Sequence, residues 1–441
     1  MRRELLLASL VVLAGCAVPS FGGSDHPAEP MGEDAIGWEN GYWYDDPVNV
    51  TTEDGLNESE REAVSARTMA RVEHIRDREF TETVPVEVIS RAEYRNRSRG
   101  SNGSGGPPQD PWNDQVWEAL LLIGEDAGSS EAISSTLSTS VQGYYSPSRD
   151  EIVVVSPTET PLVDRATLAH ELVHALQDQQ FGLNGSAETQ DRQLARDGLI
   201  EGEANYVQAL YERRCGDQWR CVDRPDRSGG GGGTVQYPGL FTVLLQPYAT
   251  GPAFVDHLYE SGGWSAVDAA HEQFPDSSEQ VIHPDRYPDD DPVNVTVPDR
   301  SNGEWERFDH DPVADTVGEA SIFATMYHND RTDASRYSYR SEPSVGWAGD
   351  SVVPYRNGSG GYGYVWVSEW DSGTDAREFA SAYRAALVEE HGASRRAGNV
   401  YVVPASSSFE DAFRITRSGT RVRIVNAPTV DQLDGVHAPP G

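Results

Sequence analysis

The stretch that decides the fold of this chain is His170-Glu171-Leu172-Val173-His174. Two histidines four residues apart lie one above the other on the same face of an α-helix. Their imidazole nitrogens can converge on one Zn²⁺ at about 2.0–2.1 Å, and a third protein ligand then leaves the fourth position for water. Glu171 lies beside that position and can accept a proton from the water. The spacing therefore predicts a hydrolytic zinc site.

The residues around the motif predict the helix that carries it. Thr160-Pro161 supplies an N-cap and a first-turn proline, so we predict a helix from Leu162 to Phe181 that ends at Gly182. The alternative is that the histidines and Glu171 only decorate a core helix, but a buried glutamate without a metal or a partner would be costly. The stripe that turns the helix toward the core consists of Leu162, Ala166, Ala169, Val173 and Leu176.

Glu201 and Glu203 are the two candidates for the third ligand. They lie two residues apart, roughly 200° around a helix, so both cannot bind one ion. Amphipathicity favours Glu203, because it falls within an apolar arc. Asn205, one turn after Glu201, favours Glu201, because its amide can hydrogen-bond a ligating histidine. We predict that His170, His174 and Glu201 bind the zinc and that Glu203 is turned away.

The run from His170 to Asp178 resembles the active helix of the gluzincin metallopeptidases, the thermolysin-like clan. In that clan a glutamate on a second helix completes the zinc site, and an amide or carboxylate often follows it one turn later. The resemblance implies an α+β, zincin-like domain, mainly helical with a small mixed sheet, that uses Zn²⁺ to hydrolyse peptide bonds. It also implies supporting roles for Asn205 and Asp178 beside the ligands. The chain departs from the clan in a long insert, Ala175 to Ile200.

A further resemblance is to a group of secreted H-E-x-x-H proteins of haloarchaea and bacteria. It implies a surface peptidase and supplies no substrate. Tyr248 and His283 belong to the later shared motifs and Tyr287 follows the last of them; all three are candidates to donate a hydrogen bond to the scissile oxygen. The alternative for each is a packed core aromatic or a satisfied core histidine. The matching pieces are Ala169 to Gln179, Glu201 to Ala204, Pro247-Tyr248, Gly251 to Phe254, Gly262 to Trp264 and Ser278 to Pro284.

The composition indicates the environment and excludes some partners. The chain has 71 acidic and 35 basic residues, all of the basic ones arginine, and a net charge of −36. Such charge repels itself at low ionic strength but is screened at molar salt, where the Debye length is about 3 Å. Acidity with arginine in place of lysine predicts a halophile protein. The same charge argues against binding to nucleic acid or to anionic lipid surfaces.

The N-terminus predicts export and a lipid anchor. Arg2-Arg3 precede an apolar run, Leu5 to Ala14, which is too short to span a bilayer. The run ends in Leu13-Ala14-Gly15-Cys16, which resembles a lipobox in which Cys16 is lipidated, and the paired arginines suggest twin-arginine export. We therefore expect the protein on the outer face of the cytoplasmic membrane, bound to the membrane only through Cys16. The alternative is a plain secretory signal with Cys16 incidental.

The remaining cysteines and the sequons agree with an exterior location. Cys215 and Cys221 suit a short-loop disulfide in an oxidising compartment, although two buried thiols are the alternative. Each sequon alone is a weak signal, because the N-x-S/T pattern is common in Ser/Thr-rich chains. The candidate glycosylation sites are Asn49, Asn57, Asn96, Asn102, Asn184, Asn294 and Asn357.

Changes of composition along the chain predict its organisation. Residues 1–16 form a lipoprotein signal peptide, 17–58 a disordered acidic tether, 59–341 the metallopeptidase-like domain and 342–441 a small α+β accessory domain. A hairpin, Val141 to Tyr145 and Glu151 to Val155, precedes the zinc helix, where a strand often forms the edge of a peptidase cleft. The other predicted elements are helices from Ser59 to Phe80, Trp112 to Ile123 and Asp375 to His391, strands at Val84–Ile89, Tyr364–Trp370, Val400–Val403 and Val422–Val425, and a loop from Arg97 to Asp110.

Three classes of function follow from these features. The first is a zinc-dependent peptidase anchored outside the cell that acts on extracellular proteins or peptides. The second is a catalytically degenerate surface protein that keeps the peptidase fold for binding or cell-surface structure. The third is a solute-binding lipoprotein, which the sequence disfavours because it lacks the alternating βα pattern of two doubly wound lobes. The oligomeric state is left open.

Overall fold

The structure, a computed structural model, describes residues 35–50, 55–101, 109–156, 163–224 and 235–439. The predicted signal peptide with Cys16, the first part of the predicted tether, the predicted Thr160-Pro161 cap and Asn102 lie outside the described residues. The described α-helices are α1 (Glu58–Arg76), α2 (Arg91–Ser101), α3 (Pro111–Ala119), α4 (Ser129–Ser140), α5 (Arg165–Phe181), α6 (Gln190–Arg214), α7 (Pro238–Gly262), α8 (Trp264–Glu272), α9 (Ser278–Ile282), α10 (Gly318–His328), α11 (Gly373–Ala385) and α12 (Leu433–His437).

The strands form three sheets. A hairpin joins β1 and β2, a three-stranded sheet has the order β3-β5-β4, and a seven-stranded sheet has the order β6-β7-β8-β12-β11-β10-β9. In the three-stranded sheet β3 runs parallel to β5 and β4 runs antiparallel to it, so this sheet is mixed. The strands are β1 (Trp38–Glu39), β2 (Tyr42–Trp43), β3 (Val86–Ser90), β4 (Gly143–Ser146), β5 (Glu151–Ser156), β6 (Trp305–Arg307), β7 (Trp347–Asn357), β8 (Tyr362–Trp370), β9 (Ser394–Arg395), β10 (Val400–Val402), β11 (Ala412–Ser418) and β12 (Arg421–Ala427).

The central strand β5 shows how sequence and position agree. Its run Ile152-Val153-Val154-Val155 is buried throughout, as expected for a strand that is covered on both faces. Ile152 and Val154 pack in the same cluster as the apolar residues of α5. Val153 and Val155 face the other way, toward Ile89. The sheet therefore forms a layer between α5 and the segment that contains α2.

Helices α6 and α7 cross at a contact between glycines. A Cβ added to Gly251 of α7 would lie 2.3 Å from the carbonyl oxygen of Gly198 and 2.9 Å from the Cα of Gly202, both on α6. Only residues without a Cβ allow two helix backbones to approach so closely. The crossing lies beside Glu201 and one helical turn after Tyr248. It therefore fixes the distance between the two helices where both residues lie.

The seven-stranded sheet is not isolated from the rest of the chain. One hydrophobic cluster combines Val116 of α3, Phe323 of α10 and Trp366 of β8, so it extends across the predicted boundary between residues 341 and 342. β6 at Trp305–Arg307 also precedes that boundary and pairs with β7. The accessory domain therefore shares its core with residues assigned by sequence to the main domain.

Several predicted elements differ from the observed ones. The α+β class is confirmed, and the β4–β5 hairpin forms in the predicted place. The helix that carries His170 and His174 begins at Arg165, because the Asp164 side chain caps it by accepting from the backbone N–H groups of Ala166 and Thr167. Residues 97–101 are helical in α2 rather than part of a loop. β7 and β11 were not predicted.

The described part of the predicted tether is also not a free chain. β1 and β2 form a hairpin against α1, where the backbone N–H of Gly37 donates to the carboxylate of Glu73 at 2.8 Å. The ring of Tyr44 stacks on His74 with centroids 3.7 Å apart. Residues 35–50 thus belong to the folded body, because aromatic side chains in an otherwise polar segment give it something to bury.

Candidate metal centre

Helix α5 aligns the two histidines of the motif. His170 and His174 lie one turn apart, and their Nε2 atoms are 3.1 Å from each other. The rest of α5 is packed into the core, since Ala169, Leu172 and Val173 are fully buried. The helix therefore cannot rotate without exposing its apolar surface, and this fixes the direction of both imidazoles.

Helix α6 brings Glu201 to the same point. Its Oε2 atom lies 3.1 Å from the Nε2 of His170 and 3.4 Å from the Nε2 of His174. Two ligands about 2.0–2.1 Å from a tetrahedral zinc ion are about 3.3 Å apart. The three distances therefore match one face of a zinc coordination tetrahedron, and the donor set of two imidazoles and one carboxylate suits this metal. These residues fit Zn²⁺.

The electrostatics of the three residues are strongly coupled. Burial alone acts to raise the pKa of Glu201, but His174 and His170 outweigh it and hold that pKa well below its usual range. Burial acts to lower the pKa of His174, but the Glu201 carboxylate outweighs it and raises the pKa to about 9. Without a metal, a proton on His174 balances the carboxylate of Glu201. A bound cation would take the place of that proton.

Gln177 fixes the orientation of His174. Its amide Nε2 donates to the carbonyl of Ile200 at 3.0 Å and to the carboxylate of Glu203 at 2.8 Å, and both of these partners are only acceptors. The amide oxygen must therefore be the atom that faces Nδ1 of His174, at 2.9 Å. Nδ1 then carries the hydrogen, and the lone pair of Nε2 points toward His170 and Glu201, as a metal ligand requires.

The supporting roles predicted for Asn205 and Asp178 were wrong. Asn205 donates to the backbone carbonyl of Glu201 at 2.8 Å and bonds neither histidine. Asp178 accepts from the Tyr145 hydroxyl at 2.9 Å and from the backbone N–H of Leu183 at 2.7 Å. Gln177, which sequence reasoning missed, takes the role instead. Gln177 lies three residues after His174 on the same helix face, and this spacing could have predicted that it supports His174.

Glu203 is turned away from the imidazoles and is bound elsewhere. It is 1 % exposed, pairs with Arg76 of α1 and lies 2.5 Å from the Nε2 of His271 in α8. Burial acts to raise the pKa of Glu203, but Arg76 and His271 hold it well below its usual range. The amphipathic pattern indicated correctly that Glu203 is buried. What buries it is an ion-pair network that joins α1, α6 and α8.

Glu171 lies beneath the edge strand β4. It is buried, and the backbone N–H of Tyr145 donates to its carboxylate. A Cβ added to Gly143 would lie 3.2 Å from Oε1 of Glu171, so the strand lies directly on this side chain. Burial raises the pKa of Glu171, and the charges of His170 and His174 partly offset the rise. A raised pKa makes the carboxylate a stronger base.

Of the three candidate oxyanion donors, Tyr248 lies at the site. Its hydroxyl bonds to the Glu201 carboxylate, and burial of that hydroxyl followed by the charge of Glu201 raises its pKa. The residue as a whole is 47 % exposed, so it is not a core aromatic. His283 pairs instead with Glu319, and the Tyr287 hydroxyl donates to the carbonyl of Gln273 at 2.7 Å. These contacts agree with the alternative for both residues, a satisfied core histidine and a packed aromatic.

The predicted cysteine pair is bonded in the structure, Cys215 to Cys221. Two arginines of α1 hold the loop that it closes. Arg67 and Arg71 both donate to the backbone carbonyl of Arg220, at 3.2 and 3.1 Å. Of the candidate glycosylation sites that are described, Asn49, Asn57, Asn96, Asn184 and Asn294 are exposed and Asn357 is half-buried.

Comparison with known proteins gives one partial match. Residues 306–437 match a family model described as "Domain of unknown function (DUF8575)". Searches of curated proteins and of solved structures found no match. The matched segment contains the seven-stranded sheet except β6's first residue, and it contains none of His170, Glu171, His174 or Glu201. Within the described residues, no helix combines the length and apolarity needed to cross a membrane.

Proposed function

We propose that this protein is a zinc-dependent peptidase with His170, His174 and Glu201 as the metal ligands and Glu171 as the general base. The observation that carries the proposal is the triangle of ligand atoms, with sides of 3.1, 3.1 and 3.4 Å, beside a buried glutamate. A zinc ion bound there would polarise the scissile carbonyl and acidify a water molecule. The donor set and the base together support hydrolysis rather than a purely structural metal, which four protein ligands usually enclose.

The arrangement of elements supports a zincin-like fold for this part of the chain. The motif helix α5 packs on a mixed sheet, and the second helix α6 supplies the glutamate ligand after the insert that the sequence contains. In the order β3-β5-β4, strand β4 is at the edge on the side of the site. We propose that an extended peptide substrate adds to this edge by backbone hydrogen bonds.

Each of three residues around the site would then have its own role in hydrolysis. Gln177 keeps the Nε2 lone pair of His174 directed at the ligand position. Glu171, steadied by the backbone N–H of Tyr145, accepts the proton of the attacking water and can deliver it to the departing amine. The hydroxyl of Tyr248, a residue that is half exposed as a whole and whose hydroxyl bonds to Glu201, is the donor available to the developing negative charge on the scissile oxygen.

Cleavage by wild type and Glu171→Gln tests the proposal. The substitution keeps the shape of the side chain and removes the base, so zinc should remain bound while casein or peptide cleavage in molar salt falls by about 10²–10⁴-fold or more. Glu188→Gln is the matched control, since it removes one exposed carboxylate outside the site and should retain full activity. If wild type binds zinc and is as inert as Glu171→Gln, the peptidase proposal fails and a binding scaffold takes its place.

We propose further that the enzyme works outside the cell, anchored through Cys16. The bonded pair Cys215–Cys221 supports an oxidising compartment, and the net charge of −36 without lysine supports a salt-rich one. Cys16→Ser should release the protein into the medium or leave it unprocessed, as measured by fractionation of cells. Unchanged retention in the membrane would contradict the anchor.

A further inference from the structure

A second cluster of ligand-type side chains lies away from the residues of the zinc site. Glu118 of α3, Glu125 after α3 and Asp411 before β11 each offer a carboxylate oxygen, and these atoms lie within 4.8 Å of one another. Glu118 and Asp411 are buried and Glu125 is exposed. We call Glu118, Glu125 and Asp411 the acidic cluster. It joins α3 to the seven-stranded sheet.

The surrounding charges do not compensate the acidic cluster. The charged groups that act most strongly on its members are themselves acidic, among them Glu410 and Asp126. Burial, followed by repulsion between the carboxylates, raises the pKa of Glu125 to about 7 and that of Asp411 to about 8. Buried carboxylates at this spacing need either protons or a cation to be stable.

Unpartnered polar atoms at the acidic cluster favour a cation. Asn426 is 0 % exposed, and its amide N–H acts as a hydrogen-bond donor toward Asp411, which opposes the rise in the pKa of that carboxyl, while its Oδ1 has no hydrogen-bond partner. One oxygen of Glu118 accepts from Gln115 at 2.6 Å, while the other, Oε1, is buried without a hydrogen bond. Buried polar atoms in proteins are nearly always satisfied, so the unsatisfied Oδ1 of Asn426 and the unsatisfied Oε1 of Glu118 indicate a missing ligand.

The backbone holds the acidic cluster in a fixed geometry. The N–H of Glu125 donates to the carbonyl of Ser408 at 2.9 Å. A Cβ on Gly124 would lie 2.4 Å from the Cβ of Ser408, so the two segments touch at a position where only glycine fits. This contact brings Glu125 and Asp411 together from distant parts of the chain.

We propose that Glu118, Glu125, Asp411 and the amide oxygen of Asn426 bind one Ca²⁺ ion. All four donors are oxygens, which suits hard cations and disfavours Zn²⁺. Ca²⁺ takes six to eight oxygen ligands in flexible geometry, whereas Mg²⁺ usually keeps most of its waters and uses one or two carboxylates. The exposed side at Glu125 leaves room for water to complete the shell. The ion ties α3 to the seven-stranded sheet and stabilises the shared core.

The test uses the full chain, stripped of metals and kept in molar KCl. Bound calcium per chain and the thermal unfolding midpoint are measured with and without CaCl₂ for wild type, Asp411→Asn, Glu118→Gln and Glu125→Gln. Glu410→Gln is the matched control, since it removes an exposed neighbouring charge without removing a proposed ligand. Zinc binding by the same variants is measured on separate samples after zinc is added back, and it should not change between variants, which separates this proposal from the peptidase proposal.

We expect wild type and Glu410→Gln to bind one calcium ion per chain and to unfold at a higher temperature with CaCl₂. Asp411→Asn and Glu118→Gln should bind calcium at least tenfold more weakly than wild type. Their unfolding temperature should not rise with CaCl₂. Without calcium, Asp411→Asn should be at least as stable as wild type, because one of the repelling charges is gone. If a buried variant does not fold, the exposed Glu125→Gln decides. A wild type without a calcium response, or variants that respond as wild type does, would overturn the proposal in favour of protonated carboxyl groups.

Discussion

The interior around α5 and α6 contains oppositely charged side chains that contact one another, whereas the interior of the seven-stranded sheet combines large aromatic side chains with valines and isoleucines. Glu203, Arg76 and His271 are buried together in the helical region. In the sheet region, Trp366 of β8 packs edge-on against Phe379 of α11, with ring centroids 5.3 Å apart. Contacts between opposite charges hold the helical interior together, whereas packing of large apolar side chains holds the interior of the sheet together.

The difference shows where function can be sought. Burying polar groups costs free energy unless each finds a partner, so a network of them persists where it orients something. Here the network around Glu203 ends at Gln177, which hydrogen-bonds His174. The family match covers the aromatic sheet and none of the proposed zinc ligands, so that match carries no information about the site.

The same contrast separates the two sides of α6. Glu201 faces the imidazoles and is partly exposed, whereas Glu203 faces Arg76 and is buried. If this assignment holds, removing Glu203 should affect folding and removing Glu201 should affect metal binding.

The largest effect is expected for Glu203→Ala. It leaves the buried guanidinium of Arg76 and the imidazole of His271 without their carboxylate, which should lower the free energy of unfolding by about 3–5 kcal/mol. Glu201→Ala in the zinc-free protein should lower it much less, because that side chain is partly exposed, but it should abolish stoichiometric zinc binding. Denaturant unfolding in molar salt and zinc analysis measure both. Equal losses of stability in Glu203→Ala and Glu201→Ala would contradict the assignment of Glu203 to folding and of Glu201 to metal binding.

A smaller effect is expected for Gly251→Ala at the crossing of α6 and α7. The added methyl group would approach Gly198 and Gly202 too closely, so the helices must separate, at a cost of about 1–3 kcal/mol. Because Tyr248 and Glu201 flank the crossing, cleavage should fall as well. Gly303→Ala, at a glycine with open space around it, is the control and should leave both stability and cleavage unchanged. If Gly251→Ala has the stability and the cleavage activity of wild type, the helix crossing does not determine the positions of Tyr248 and Glu201.

The smallest of these effects is expected for Gln177→Met, which removes the hydrogen bond to Nδ1 of His174. Zinc affinity should fall by about 10–100-fold, the usual cost of losing the group that orients a ligating histidine. Gln179→Met is the matched control, since Gln179 bonds Thr81 and Glu82 at the surface. Competition with a zinc chelator measures both variants. Equal affinities would mean that packing alone orients His174.

The sequence predicts the local part of this account well. The spacing of His170 and His174 requires a helix to bring them together, and the apolar run in β5 requires a covered strand. Glu201 lies at the imidazoles in the structure, as predicted. The argument that favoured it was a hydrogen bond from Asn205 to a histidine, and that argument was wrong, because Asn205 bonds the backbone of its own helix.

The parts that the sequence did not predict depend on contacts between distant segments. Nothing local indicates that Arg76 pairs with Glu203 or that Gly251 meets Gly202. The acidic cluster joins Glu118 to Asp411, and each looks like an ordinary surface acid when read in its own segment. β11 was missed because its alternation of apolar and polar residues, Phe413 to Thr416, is short and is broken at Arg417, and the structure shows Arg414 paired with Asp434.

The most direct test of the central claim is the position of zinc in a crystal of the protein, located by anomalous diffraction at the zinc absorption edge. We expect one strong peak within about 2.0–2.2 Å of the Nε2 atoms of His170 and His174 and of a carboxylate oxygen of Glu201. The Glu203 carboxylate should remain with Arg76. A peak that is coordinated by Glu203, or no peak between the two imidazoles in zinc-saturated protein, would contradict it.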